Sequence, residues 1–212
     1  MSTTKRLVQL DVDSTFIQQE AIELLAAKAG ALDEVSRITA AAMRGELDFS
    51  QSLIARVALL QGLSEDVIMQ VQREITLTDG AIELVAALHQ RGHFVSLVSG
   101  GFTNILQPIV DDMKIDFYRA NTLEIIDGLL TGKVIGPIVD RAAKADALRE
   151  FAQACAVELS NTVAIGDGAN DLDMMEIAGI SIAFNAKPIV EAAADYSIKE
   201  PSLRSVVALI NL

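Results

Sequence analysis

The sequence predicts an α/β fold: a doubly wound parallel sheet with a small all-helical segment inserted after strand one. Three observations carry that expectation. After Asp79, short apolar runs alternate with amphipathic stretches, which is the βαβ rhythm of a parallel sheet. Between Gln18 and Ile75 there is no strand-like alternation, while apolar residues recur at helical spacing. Finally, three expected strands run into acidic or glycine-rich sequence, at residues 11–15, 99–101 and 166–171.

Residues 5–10 form a short apolar strand that enters the polar run Asp11-Val12-Asp13-Ser14-Thr15. Ile22, Leu25, Ala26 and Ala29 then mark one helical face, Val35, Ile38 and Ala42 a second, and Leu53, Val57 and Leu60 a third. Gly30, Gly45 and Gly62 punctuate these stretches, and Ser64-Glu65-Asp66 places acids at a helix start. Residues 15–75 therefore read as three or four antiparallel helices, set between core segments 1–14 and 76–212. A helix over Ala81–Gln90 ends at Gly92, and residues 93–98 form a strand rich in apolar and β-branched side chains. Ser99-Gly100-Gly101 leads from it into another helix. Phe117–Ile126 and Leu129–Ile135 flank Asp127-Gly128, a hairpin signal. A helix over residues 142–156 precedes a buried strand at 162–165, which runs into Gly166-Asp167-Gly168. Short strands at Ile180–Phe184 and Tyr196–Ile198 complete a Rossmann-like core.

At 212 residues and 51% hydrophobic composition, the chain is long enough to bury a substantial core. Its 17 Lys and Arg against 29 Asp and Glu leave a net charge of −12. Such a surface repels phosphodiester backbones and argues against nucleic-acid binding, while a locally positive pocket still admits a small anion. The lone Cys155 builds no disulfide framework and reads as a small buried hydrophobe in a reducing compartment. Leu7, Val8 and Leu10 are too few for a signal-peptide core, and no run approaches the ~18 apolar residues of a membrane span. A cytoplasmic protein with no membrane partner is expected, as a monomer or homodimer.

In open α/β sheets, ligands sit beyond the carboxyl ends of the strands. That rule brings Asp11, Asp13, Asp167 and Asp171 into one crevice, although each acid alone also reads as a loop residue or helix cap. Four carboxylates together raise each other's pKa and call for a cation. Mg²⁺ suits them, as a hard ion that takes carboxylates, a carbonyl, waters and a phosphate oxygen. Other readings fit less well. Gly166-x-Gly168-x-x-Asp171 lacks the third glycine of a dinucleotide fingerprint, and Asp167 would repel a pyrophosphate. Ser99 has no G-x-S-x-G elbow, and His89 and His93 fall toward the opposite end of the sheet, as structural residues. A phospho-receiver module would carry no helical insertion.

Asp11-Val12-Asp13-Ser14-Thr15 resembles the D-x-D-x-T signature of the haloacid dehalogenase superfamily of phosphatases. Ser99-Gly100-Gly101, Lys144 and Gly166-Asp167-Gly168-Ala169-Asn170-Asp171 are similar to its second, third and fourth motifs, in order. The helical insertion resembles that superfamily's small cap domain. Val12 departs from the aromatic common among relatives, but alternation points it away from Asp11. More narrowly, nearly the whole chain resembles the branch of the superfamily that acts on O-phosphoserine.

The resemblance implies an Mg²⁺-dependent hydrolysis through an aspartyl-phosphate, in the service of serine biosynthesis. Asp11 is then the nucleophile and Asp13 the general acid and base. Asp11, Asp167 and the Asp13 carbonyl hold the metal, with Asp171 in support. Ser99, the Gly100 amide and Lys144 bind phosphoryl oxygens, and Asn170 orients Lys144 or reaches the phosphate. A lysine near a helix start otherwise reads as a solvated surface residue. Glu20 and Arg56 take the positions of the amino and carboxylate binders, the alternative being exposed helix charges. Met43 and Phe49 take those of apolar pocket residues, the alternative being helix-layer core. A related phosphatase or phosphotransferase acting on another small phosphomonoester is the nearest alternative, and a silent phosphate-binding regulator the more distant one. With no regulatory domain expected ahead of the core, amino-acid feedback through one is not expected either.

Overall fold

A computed structural model describes residues 4–43 and 46–210, apart from the Met43 side chain. The sheet has seven strands: β1 (Leu7–Asp11), β2 (Phe94–Phe102), β3 (Phe117–Ile126), β4 (Leu129–Ile135), β5 (Thr162–Gly166), β6 (Ile180–Phe184) and β7 (Tyr196–Ile198). Their order is β4-β3-β2-β1-β5-β6-β7. Every neighbouring pair is parallel except the β3–β4 hairpin. The strand order reverses at β1, which pairs with β2 on one side and β5 on the other. That reversal opens a crevice at the carboxyl ends of β1 and β5, where Leu10 stands opposite Ile165. Asp11 and Asp167, 156 positions apart by numbering, are thereby made neighbours.

Both faces of the sheet are covered, as its parallel pairing requires. Helices α1 (Ala21–Ala29), α2 (Leu32–Met43), α3 (Phe49–Ala58) and α4 (Asp66–Glu74) form the inserted layer. Then follow α5 (Ala81–Gln90), α6 (Thr103–Met113), α7 (Arg141–Ala154), α8 (Leu172–Ile177), α9 (Pro188–Glu191) and α10 (Arg204–Leu209). Val8 and Leu10 of β1 pack with Leu84 and Leu88 of α5 and Val206 of α10. Leu7 points the other way and joins Ala147 and Leu148 of α7 and Met174 of α8. Val12 is buried in the first of these clusters, on the side predicted for it.

The inserted layer is helical as expected, but it is not self-contained. Leu25, Val35, Leu53, Val57 and Val71 share a core with Phe102, Ile105, Leu123 and Leu130 from β2, α6 and the hairpin. Leu130 exchanges backbone hydrogen bonds with Gly62 and Leu63, each at 2.8 Å. The hairpin turn that reaches this layer has Asp127 at φ 51° and Gly128 at φ 75°. Two successive positive φ values are what a two-residue turn between right-twisted strands needs, hence Asp-Gly. The two crossings between layer and sheet lie side by side: Ile17 bridges Leu77, and the Thr78 hydroxyl donates to Thr15 O at 2.7 Å.

Two features differ from expectation. β2 does not stop at Val98 but runs through Ser99-Gly100-Gly101 to Phe102, with a register shift against β3 after Val98. The irregular stretch stays with the sheet because the Asn121 side-chain amide donates to Gly100 O at 2.8 Å. Cys155 is only half-buried. Its thiol donates weakly to Ala152 O, and partial burial pushes its pKa up. Gly45, expected as a helix breaker, lies outside the described residues.

Candidate active site

β1 delivers Asp11 to the crevice, and the chain then turns sharply. Ser14 takes a left-handed φ of 58°, while Asp13 remains extended. The turn aims Asp13 back at the second motif. Its Oδ2 accepts from the Ser99 hydroxyl at 2.7 Å, and its Oδ1 accepts from the Ala21 N–H at 2.7 Å, in the first turn of α1. Ser99 in turn accepts from the Gly101 N–H at 2.7 Å. A Cβ at Gly101 would lie 2.6 Å from Asp13 Oδ2, so glycine is required for this close approach.

Lys144 is buried in the first turns of α7, which rules out the solvated-surface alternative. Its Nζ lies 2.5 Å from Asp11 Oδ1 and 2.8 Å from Asp171 Oδ1. Burial opposes the ammonium, but the two facing carboxylates outweigh it and raise the Lys144 pKa. Asp171 Oδ2 accepts from the Gly168 N–H at 3.1 Å, so this carboxylate is fixed at both oxygens. Lys144 is therefore oriented by Asp171 rather than by Asn170, which faces the cavity instead. Gly166 has no room for a side chain, because a Cβ there would collide with the Asp171 carboxylate.

One cavity of about 520 Å³ joins these residues to the inserted layer. Asp11, Asp13, Gly100, Asp167 and Asn170 form its floor, and Glu20, Phe49 and Arg56 line it from the helices. Glu20 accepts from the Ser14 hydroxyl at 2.7 Å. It is open to solvent at the mouth, yet loss of water around its carboxylate, with Asp13 nearby, raises its pKa to about 7. Arg56 donates from Nε to Ser52 O at 3.2 Å and makes no ion pair among the described residues. Partial burial lowers its pKa, and Glu20 opposes the shift. Phe49 belongs to both readings offered for it: it packs on the helical core and its ring faces Gly100, where a Cβ would lie 2.7 Å from Cζ. The Met43 side chain lies outside the described residues.

Asp11, Asp167 and Asp171 bring carboxylate oxygens within 4.8 Å of one another. Burial and the Asp171 charge raise the pKa of Asp11 well above its usual range and that of Asp167 to about 6. Three carboxylates thus crowd around the Lys144 ammonium, with Lys187 also acting on Asp167, and a divalent cation would further offset the negative charge. The donors are hard oxygens, the chemistry that Mg²⁺ requires, so the residues present fit such an ion. The Asp13 carboxylate stands outside this trio.

The sequence reading assigns no role to several residues of the site. Lys187 and Arg141 line the cavity, and the Ser14 hydroxyl holds Glu20. Lys187 had a signal: it follows the end of β6 by three residues, where the strand-end rule applies as it does after β1 and β5. Arg141 is paired with Asp173 at 2.5 Å. The histidines are structural: His93 Nδ1 accepts from Arg6 N at 3.0 Å and His89 meets Asp116 at 3.0 Å.

Fold and site together define a capped Rossmann-like protein whose acidic centre lies at the switch point of its sheet. The chain belongs to the haloacid dehalogenase-like hydrolase family, which it matches over residues 8–176. It is 57% identical over 208 residues to a phosphoserine phosphatase of Streptomyces coelicolor, covering 98% of this chain and 51% of that protein. It is 49% identical over 211 residues to the phosphoserine phosphatase of Streptococcus thermophilus, covering 100% of this chain and 98% of the relative. The chain therefore spans about half the length of the first relative and nearly all of the second. A solved structure of a phospho-aspartyl intermediate analogue of phosphoserine phosphatase superposes with a TM-score of 0.92 at 40% identity, covering 98% of this chain and 99% of that one. Among the described residues, no helix is long and apolar enough to cross a membrane.

Proposed function

We propose that the chain hydrolyses O-phosphoserine to serine and phosphate, with Mg²⁺, through an aspartyl-phosphate on Asp11. One observation carries this reading: the Asp11/Asp13 pair and the Glu20/Arg56 pair line the same cavity. An acid pair alone suits any phosphomonoester; the second pair adds an acceptor for an ammonium and a fork for a carboxylate. Relatives named as phosphoserine phosphatases support the same substrate.

Asp11 attacks phosphorus as the bond to the serine oxygen breaks, and Asp13 donates its proton to that departing oxygen. Asp13 then takes a proton from the water that cleaves the aspartyl-phosphate. Ser99 and Ala21 hold its carboxylate for both steps. Lys144 and the Gly100 amide meet the phosphoryl oxygens, where charge builds in the transition state. Asp11, Asp167 and the Asp13 carbonyl would hold Mg²⁺, with Asp171 beside them; when bound, the ion offsets their charge and draws negative charge from the phosphoryl group. A cytoplasmic setting belongs to this reading, on the strength of the single free cysteine.

The deciding experiment measures phosphate release with Mg²⁺ from O-phosphoserine, phosphothreonine and sugar phosphates side by side. O-Phosphoserine is expected to be turned over best. No release from any of them, or a clear preference for a sugar phosphate, would overturn the proposal.

A further inference from the structure

Gln9 is an anomaly in the sheet. β1 is a central strand covered on both faces, and Gln9 is fully buried between Val8 and Leu10. A buried side-chain amide needs partners, and it has them. Nε2 donates to the backbone carbonyl of Lys144 at 3.0 Å and approaches Met174 Sδ at 3.2 Å. Oε1 accepts from the Ser96 hydroxyl at 3.4 Å. The amide has one workable orientation, because a carbonyl oxygen only accepts and Nε2 must therefore face Lys144.

These contacts tie together the three elements that supply the charged cluster. Asp11 lies two residues beyond Gln9 on the same face of β1. Lys144 is the very residue whose carbonyl Gln9 holds, and Met174 follows Asp171 by three positions. An ammonium set 2.5 Å and 2.8 Å from two buried carboxylates tolerates little movement of its backbone. Leucine at position 9 would fill similar space and continue the apolar strand, but it would leave α7 tied to β1 only by apolar packing and by the Lys144–Asp11 pair itself, with no hold on the Lys144 backbone.

We infer that Gln9 is a positioning residue: it pins the first turns of α7 to β1 and so sets the Lys144 ammonium between Asp11 and Asp171. It acts through Lys144 and touches no reacting atom. The inference rests on the proposed role of Lys144 at the phosphoryl oxygens.

The test is Gln9→Leu in the full chain, read by turnover of O-phosphoserine, inhibition by inorganic phosphate, and thermal melting. We expect Tm to fall by a few degrees with the protein still folded at assay temperature, since the buried Ser96 hydroxyl and the Lys144 carbonyl each lose a partner. We expect kcat/KM to fall by about ten- to a hundred-fold, with inhibition by inorganic phosphate weakened in parallel. In a Lys144→Arg background, the further loss should shrink to about two-fold or less, because coupled residues are not additive. Wild-type turnover and phosphate inhibition in Gln9→Leu, or a full additional loss in the Lys144→Arg background, would overturn the inference. Should Gln9→Leu not fold, Gln9→Met, equally long and more adaptable, is judged by the same outcomes. Failure of the functional reading looks different, because the unaltered protein would then release no phosphate from O-phosphoserine, or far less than from a sugar phosphate.

Discussion

The Ser99 hydroxyl commits its proton to Asp13 Oδ2 at 2.7 Å, across 86 positions of sequence. With the Ala21 N–H on the other oxygen, the Asp13 carboxylate is held by the sheet on one side and the first turn of α1 on the other. An acid that must give a proton and then take one back gains from being held in a single orientation.

Ser99→Ala should therefore lower kcat about ten-fold, the equivalent of one hydrogen bond to a charged group worth about 1.5 kcal/mol. The fold should survive, since the core clusters do not include Ser99. Steady-state kinetics beside a melting curve checks both halves. An unchanged kcat would mean that Ala21 alone suffices to orient Asp13.

Asp11→Asn is expected to abolish turnover while keeping the fold. In metal-free buffer it should melt no lower than the unaltered chain, because burial and Asp171 already disfavour the Asp11 charge. Substantial residual activity would place the nucleophile elsewhere.

Arg56→Ala separates substrates. It should reduce kcat/KM for O-phosphoserine by roughly a hundred-fold, through loss of the carboxylate fork. An aryl phosphate has no carboxylate for Arg56 and should be nearly unaffected. Equal losses on both substrates would remove the argument for an amino-acid phosphoester.

Glu20 predicts a pH dependence of stability. Its folded pKa is raised from 4.5 to about 7, so the charged form is disfavoured by folding. That penalty is absent below about pH 4.5, grows as pH rises toward about 7, and is constant above it. Glu20→Gln should accordingly match the unaltered chain near pH 4 and melt higher at pH 8. A melting-temperature difference that is flat from pH 4 to 8.5 would contradict the raised pKa.

Magnesium should raise the melting temperature of the unaltered chain in a concentration-dependent way, approaching the ~2.7 kcal/mol expected at a hundred times Kd. Asp167→Asn should blunt that response, which calorimetric melting across a Mg²⁺ series would register. An undiminished response would place the ion away from the acidic trio.

Much of this architecture was legible in the order of residues. The hairpin was readable because Asp127-Gly128 supplies the positive φ values its turn demands. The first and fourth motifs stood out because acids directly after buried strands have few structural uses. Lys144 was legible only through its place in the motif order, since a lysine in a first helical turn normally faces water.

By itself the sequence determined the strands, the helical insertion and the acidic strand ends, because hydrophobic period and turn chemistry are local properties. Tertiary structure alone decided that β5 lies beside β1, that Asp171 rather than Asn170 holds Lys144, and that Gln9 pins Lys144 from beneath. Those are relationships between residues 27 to 155 positions apart, which only the packing of the sheet and its helices can set.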